Sequence, residues 1–169
     1  MKEVWKSLLL QAGAGEIRHS GRTLFDHLVG TARCLAQWGC EEDVCAAGLF
    51  HSVYGTSSFR HGLLAMSDRP ALRLRIGQTA EQLVFLFCRA ARAHGFLEAL
   101  DAGMVRDRGG MTTYEVSRRT AQQLLLVELA NLYEQRAALD GSALDTDTAH
   151  RFAARLDDPL RSVVLGLVR

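Results

Sequence analysis

Only two prolines, Pro70 and Pro159, occur in the 169 residues. Proline removes a backbone donor and clashes with the preceding helical turn, so a chain nearly free of it can run in long helices. The apolar spacing predicts that it does. Val4, Trp5, Leu8 and Leu9 form a short opening helix, closed by the glycines around Gly13–Gly15. From Thr23, Leu24, Leu28, Leu35 and Trp38 keep one face until Gly39, a residue suited to a helix C-terminus. Glu41 and Glu42 favour the start of the next helix, which ends at His51. Further helices are expected over Thr79–His94, over Tyr114–Leu139 with Gly141 as its stop, after an Asp145 or Thr146 cap, and in the last residues. Residues 54–70 read as a loop, and "DAGMVRDRGGMTT" reads as a mobile loop and lid candidate. No strand alternation exceeds a few residues. The expectation is all-α, one domain over residues 1–169.

Composition narrows the function classes. Hydrophobic residues make up 48% and charged residues 23%, with a net charge of +1. Nothing in that balance calls for nucleic acid or an anionic membrane. The three-leucine run near the start is too short for a signal-peptide core. No apolar segment approaches the roughly 18 residues of a membrane span. Cys34, Cys40, Cys45 and Cys88 lack metal-type spacing and lie in or beside apolar runs, as reduced, packed thiols of a cytoplasmic protein would.

The polar residues on apolar faces carry the functional signal. His27 lies among Leu24, Phe25 and Leu28, and His51 closes the run "AAGLF". Asn131 interrupts the longest helix, with Glu128 three residues before it and Gln135 four after, so the three share a face. A buried polar group without a partner costs about 1–3 kcal/mol. Several on different helices point to a shared polar pocket.

The stretches "HSGRTLFDHLVGTARCLAQWG", "VCAAGLFHSVYGT", "RIGQTAEQLVFLF" and "LLLVELANLYEQ" follow one another in an order that resembles the HD-domain superfamily. Within it, residues 17–135 look most like the hydrolase domain of the guanosine tetraphosphate hydrolase–synthetase family. The resemblance implies an HD-like helical bundle. It makes His27 the first metal histidine and His51 the histidine of the His-Asp pair. Thr56 becomes the end of a Glu-Asp-Thr turn, and Asn131 stands where the last metal aspartate belongs.

The departures from that pattern are chemical. Ser52 replaces the first aspartate, Asn131 the last, and Tyr54–Gly55 the Glu-Asp pair that helps position the nucleophilic water in the family. Hard divalent cations are held by charged oxygen ligands, and here both first-sphere carboxylates are gone. No metal ion and no cofactor are therefore expected. A three-histidine site for zinc or iron from His19, His27 and His51 stays open, with no carboxylate to complete it.

A metal-free site has the groups for acid–base chemistry. His51, Tyr54 and His27 are the catalytic candidates. Histidine exchanges protons near neutrality, and a tyrosine hydroxyl polarises a carbonyl or oxyanion. Arg22, Ser52, Asn131, Gln135, Glu128 and His19 are candidates to bind the substrate, Arg22 through an acidic or polar head group. One expectation is an enzyme for isomerisation, elimination, cyclisation or hydration of a small organic molecule. The other is an inactive HD-like protein that binds a ligand, with a homodimer also open as a partner.

Overall fold

The computed structural model describes residues 2–168 apart from Ser20, Ser58, His61, His94 and residues 140–143. Its helices are α1 (Glu3–Gln11), α2 (Leu24–Gln37), α3 (Glu42–Phe50), α4 (Arg69–Ile76), α5 (Gln78–Arg89), α6 (Phe96–Asp101), α7 (Arg118–Leu139), α8 (Thr146–Ala153) and α9 (Leu160–Leu165). Two antiparallel hairpins accompany them, β1 (Arg18–His19) with β2 (Arg22–Thr23) and β3 (Met104–Arg106) with β4 (Thr113–Glu115). The all-α expectation is met. Among the described residues no helix is long and apolar enough to cross a membrane.

Helix α3 is the pivot. Val44, Ala46, Ala47, Gly48, Leu49 and Phe50 are all buried, so the helix is apolar around most of its circumference and belongs inside. It packs against α2, α5 and α7, and α2 in turn packs on α7. Small residues permit the close approach of α2. A Cβ placed on Gly48 would overlap the Leu35 side chain.

Local signals set the ends of α2. Thr23 Oγ1 accepts from the Asp26 amide at 3.1 Å while the Asp26 carboxylate accepts from the Thr23 amide at 3.3 Å, a reciprocal cap. At the other end Gly39 takes φ 77°, and the amides of Gly39 and Cys40 reach back to the carbonyls of Ala36 and Leu35. Helix α1 is tied to α4 by Trp5, whose Nε1 donates to the Arg75 carbonyl at 3.1 Å. The expected cap at Asp145 is present, its side chain accepting from the Thr148 amide.

The structure departs from the sequence reading in four places. The lid candidate is a tied hairpin: Val105 pairs with Tyr114, and Asp107 accepts from Arg89 at 2.6 Å, the Gly109 amide at 2.6 Å and Tyr114 at 3.2 Å. Tyr114 therefore belongs to β4, and α7 starts later, where the Ser117 hydroxyl accepts from the Thr120 amide at 3.1 Å. Helix α5 ends at Arg89 because the Ala91 amide donates instead to the Arg106 carbonyl, and the Arg89 carbonyl accepts from the Arg108 amide, at the edge of this hairpin. The loop expected over 54–70 gives way to a 3-10 turn at Met66–Asp68, with Pro70 in the first turn of α4, where a missing donor costs nothing. Gly141, the expected stop of α7, lies outside the described residues.

Leu129 is fully buried on α7. Its truncation leaves a cavity in the packed centre, so Leu129→Ala should lose about 2–5 kcal/mol in urea melts. Asn131→Ala, at the edge of a cavity that already exists, should lose less. A larger loss at Asn131 would make it a structural hub.

Candidate functional site

The β1–β2 hairpin, α2, the C-terminus of α3 and α7 converge on a cavity of about 200 Å³. His19, His27, His51, Ser52, Glu128, Asn131 and Gln135 line it, together with Thr56, Phe59 and Arg92. Seven of the sequence-predicted residues thus meet at one place.

The histidines are held by their outer nitrogens. His27, on α2, bonds through Nδ1 to Glu134 Oε2 of α7 at 2.5 Å. His51, at the C-terminus of α3, bonds through Nδ1 to the Gly48 carbonyl at 2.7 Å. A carbonyl only accepts, which assigns the proton to Nδ1 of His51 and leaves its Nε2 a lone pair. That Nε2 lies 3.3 Å from Nε2 of His27. The contact is a hydrogen bond when His27 supplies the proton. Burial first, and then the neighbouring His27, push the His51 pKa well below its ordinary value, so His51 is the neutral partner. The His19 ring stacks at 4.5 Å from His27, and burial lowers its pKa as well.

Glu134 completes this half of the site. Burial alone would raise its pKa, but hydrogen bonds from His27 and Arg22 outweigh that and hold it below the usual carboxylate range. Gly30 of α2 makes the approach feasible, since a Cβ there would overlap the Glu134 carboxylate.

The other half is a chain of hydrogen bonds along α7. Arg92 Nη1 donates to Glu128 Oε2 at 2.5 Å, Asn131 Nδ2 donates to the same oxygen at 3.3 Å, and Gln135 Nε2 donates to Asn131 Oδ1 at 2.8 Å. The Arg92 guanidinium lies 4.4 Å over Phe87, whose ring in turn meets the edge of His51. Behind His51, the buried Cys88 thiol donates to its backbone carbonyl at 3.1 Å.

Three buried polar atoms on residues lining this cavity have no protein partner: His19 Nε2, Ser52 Oγ and Arg92 Nε. Buried polar atoms are normally satisfied. The other such atoms among the described residues are both on Arg22, outside this cavity.

Two predicted residues stand elsewhere. Tyr54 does not line the cavity. The helix stops at Phe50 and the chain turns tightly, so residues three apart no longer share a face. Its hydroxyl donates at 3.3 Å to Glu81, a fully buried carboxylate also held by Arg69 and Arg73. Arg22 pairs with Glu134 and faces a separate groove with Asp26, Gly30 and Arg33. The sequence reading missed Glu134 and Arg92. Glu134 was within reach, since it lies three residues from Asn131, the same spacing as Glu128. Arg92 carried no local signal, because it lies just past a helix end.

A family model described as a domain of unknown function, DUF6817, matches residues 8–92. The chain belongs to this family. The DUF6817 segment contains His19, His27, His51, Ser52, Thr56 and Arg92, whereas Glu128, Asn131, Glu134 and Gln135 come from α7 beyond it. No curated protein and no solved structure matches the chain.

Among the described residues, no group of three or more His, Cys, Asp or Glu side chains is arranged to hold a metal ion. The two Nε2 atoms of His27 and His51 meet at 3.3 Å, and Ser52 and Asn131, the residues at the positions of the two aspartates in the HD-domain pattern, are neutral.

The depressed His51 pKa has a measurable consequence. A histidine that stays neutral in the fold contributes stability that is complete above its ordinary value of 6.5 and is lost as the pH falls below it, because the unfolded chain then takes up the proton. The depressed carboxylates, Glu134 among them, lose their contribution only at lower pH, below their ordinary value of 4.5. Urea midpoints should therefore fall from pH 6.5 to pH 5.5, and fall less for His51→Gln. Equal slopes for the two proteins would assign the acid lability to other groups.

Proposed function

We propose that the chain is an HD-like helical bundle whose pocket performs metal-independent acid–base chemistry on a small organic molecule. The observation that carries this reading is the 3.3 Å approach of His27 Nε2 to His51 Nε2, with Glu134 behind the first ring and the Gly48 carbonyl behind the second. One ring holds a proton for delivery and the other holds a lone pair to receive one. His27 gives its Nε2 proton to one atom of the substrate, and His51 removes a proton from another. The proton on His51 Nε2 then returns across the gap to His27, restoring both. No proton is gained or lost over the cycle, which suits an isomerisation, or an elimination whose leaving group departs protonated. Glu134 holds the His27 ring through Nδ1 and so turns its Nε2 toward His51, and Asn131 and Gln135 orient the substrate without titrating.

The HD-like reading is supported by the same helices meeting in the order that the resemblance implies, with His27 on the first, His51–Ser52 at the end of the second and Asn131 on a late one. A second reading, ligand binding without turnover, draws on the Arg92–Glu128–Asn131–Gln135 chain, which shapes a wall and offers no mobile proton. A histidine-based metal hydrolase or oxygenase draws on the same pair of Nε2 atoms, whose outer nitrogens are fixed as those of metal ligands are. The missing third ligand counts against it.

The test starts from a ligand found by thermal shift against metabolite pools. His51→Ala should lower turnover by about 10²–10⁴-fold with affinity little changed. Tyr54→Phe should keep the wild-type rate, because that hydroxyl faces Glu81. Wild-type turnover in His51→Ala would sink the acid–base reading. Stoichiometric metal in protein purified without additions, with melting sensitive to chelator, would favour the metal centre.

A further inference from the structure

The cavity has an outer chamber. Thr56 and Ser57 line both it and a wider, more open vestibule of about 420 Å³. The other walls of the vestibule are Arg60 and Arg108. Two constraints put those arginines there. The turn at Gly55, with φ 74°, brings the Thr56 amide to the Phe59 carbonyl at 2.6 Å and carries Arg60 around the rim. A Cβ at Gly55 would come within 2.9 Å of the Arg60 carbonyl oxygen, so the turn needs glycine. From the opposite side the β3–β4 hairpin supplies Arg108, whose backbone amide donates to the Arg89 carbonyl at 2.7 Å.

In charge pairing these two arginines differ from Arg92 and Arg22. Around the inner cavity, Arg92 is matched by Glu128 and Arg22 by Glu134. Among the described residues no carboxylate forms an ion pair with Arg60 or Arg108, so the mouth carries uncompensated positive charge. Inside, the buried Arg92 side chain still has Nε without a partner, and the Ser52 hydroxyl, 3% exposed, has none either. An arginine N–H has only one complement, an acceptor. Donors at the mouth and in the wall thus line two adjoining spaces that share Thr56 and Ser57.

We propose that the ligand of this site is a small organic acid. Its carboxylate or phosphate is held at the mouth by Arg60, Arg108 and the Ser57 hydroxyl, and acceptor atoms of its body meet Arg92 and Ser52 beside the histidines. This rests on the reading of the inner cavity as the reacting site and adds its substrate class. An inner chamber of about 200 Å³ takes a body of only a few heavy atoms, so the acid group reaches the vestibule while the body lies against the His27–His51 pair.

Inorganic phosphate and malonate serve as probes, titrated calorimetrically into the full chain at low salt. At least one should bind, and its affinity should drop about tenfold on loss of each charged contact in Arg60→Gln and Arg108→Gln. Both residues are on the rim and outside the core, so the variants should fold, with unchanged melting as the check. Arg118→Gln, in a different cleft, should leave binding as it is. Tighter phosphate binding identifies a phosphate ester, and tighter malonate binding a carboxylic acid. Failure of both probes to bind, or equal binding in the Arg60→Gln, Arg108→Gln double variant, overturns the proposal. The Arg60→Gln, Arg108→Gln pair and His51→Ala separate the two readings: loss of probe binding in the first tests the acid subsite alone, and loss of turnover in the second tests the reacting site alone.

Discussion

One buried carboxylate organises the site. Glu134 is nearly inaccessible to water and takes its hydrogen bonds from His27 and Arg22. Removing one member of a buried ionic group leaves an uncompensated charge, typically a loss of about 3–5 kcal/mol. The bond to His27 also decides which nitrogen of that ring faces the cavity, and so everything that follows from the pairing with His51. Its precondition is the absence of a side chain at Gly30. A single hydrogen atom in place of a methyl group lets α7 approach α2 closely enough for a carboxylate to reach an imidazole.

The second carboxylate of α7, Glu128, repeats the arrangement with Arg92 and Asn131. The two acids lie six residues apart on one helix: Glu128 lines the cavity, whereas Glu134 stands behind His27 and borders the groove that Arg22 faces. The wall there is polar and ionically balanced, whereas the opposite wall, from β1, α2 and α3, carries the histidines. The family match covers that opposite wall and Arg92, and stops short of α7. The site is complete only when the last long helix docks, so its geometry depends on contacts between residues about a hundred positions apart.

Much of this was legible in the residues. Near-absence of proline and the apolar spacing were enough for the helices, because both act locally. The cavity lining was legible for a different reason: His27, His51 and Asn131 are polar groups on apolar faces, and burial without partners is costly. What escaped was whatever depends on where a chain goes after a helix ends. Tyr54 follows His51 by three residues, a separation that means adjacency in a helix and nothing in a turn. Its hydroxyl went to Glu81, a carboxylate that only tertiary packing brings near. Tyr114 looked like the start of a helix because its neighbours are ambiguous, and cross-strand pairing with Val105 settled it as a strand. Arg22 was expected to meet the ligand and instead meets Glu134, a residue whose approach could not be foreseen without Gly30.

The thiol behind His51 gives the molecule an internal clock. Burial pushes Cys88 up to about 12, and Cys40, also by burial, to a similar value. Cys34 rises to about 11 for the same reason. Thiols so rarely ionised are sluggish nucleophiles at neutral pH, and Cys88 is shielded besides. An alkylating reagent reaches it only while α5 and the end of α3 are apart. The rate of its modification therefore counts excursions of the helix junction that presents His51, reading local breathing from a single sulfur atom.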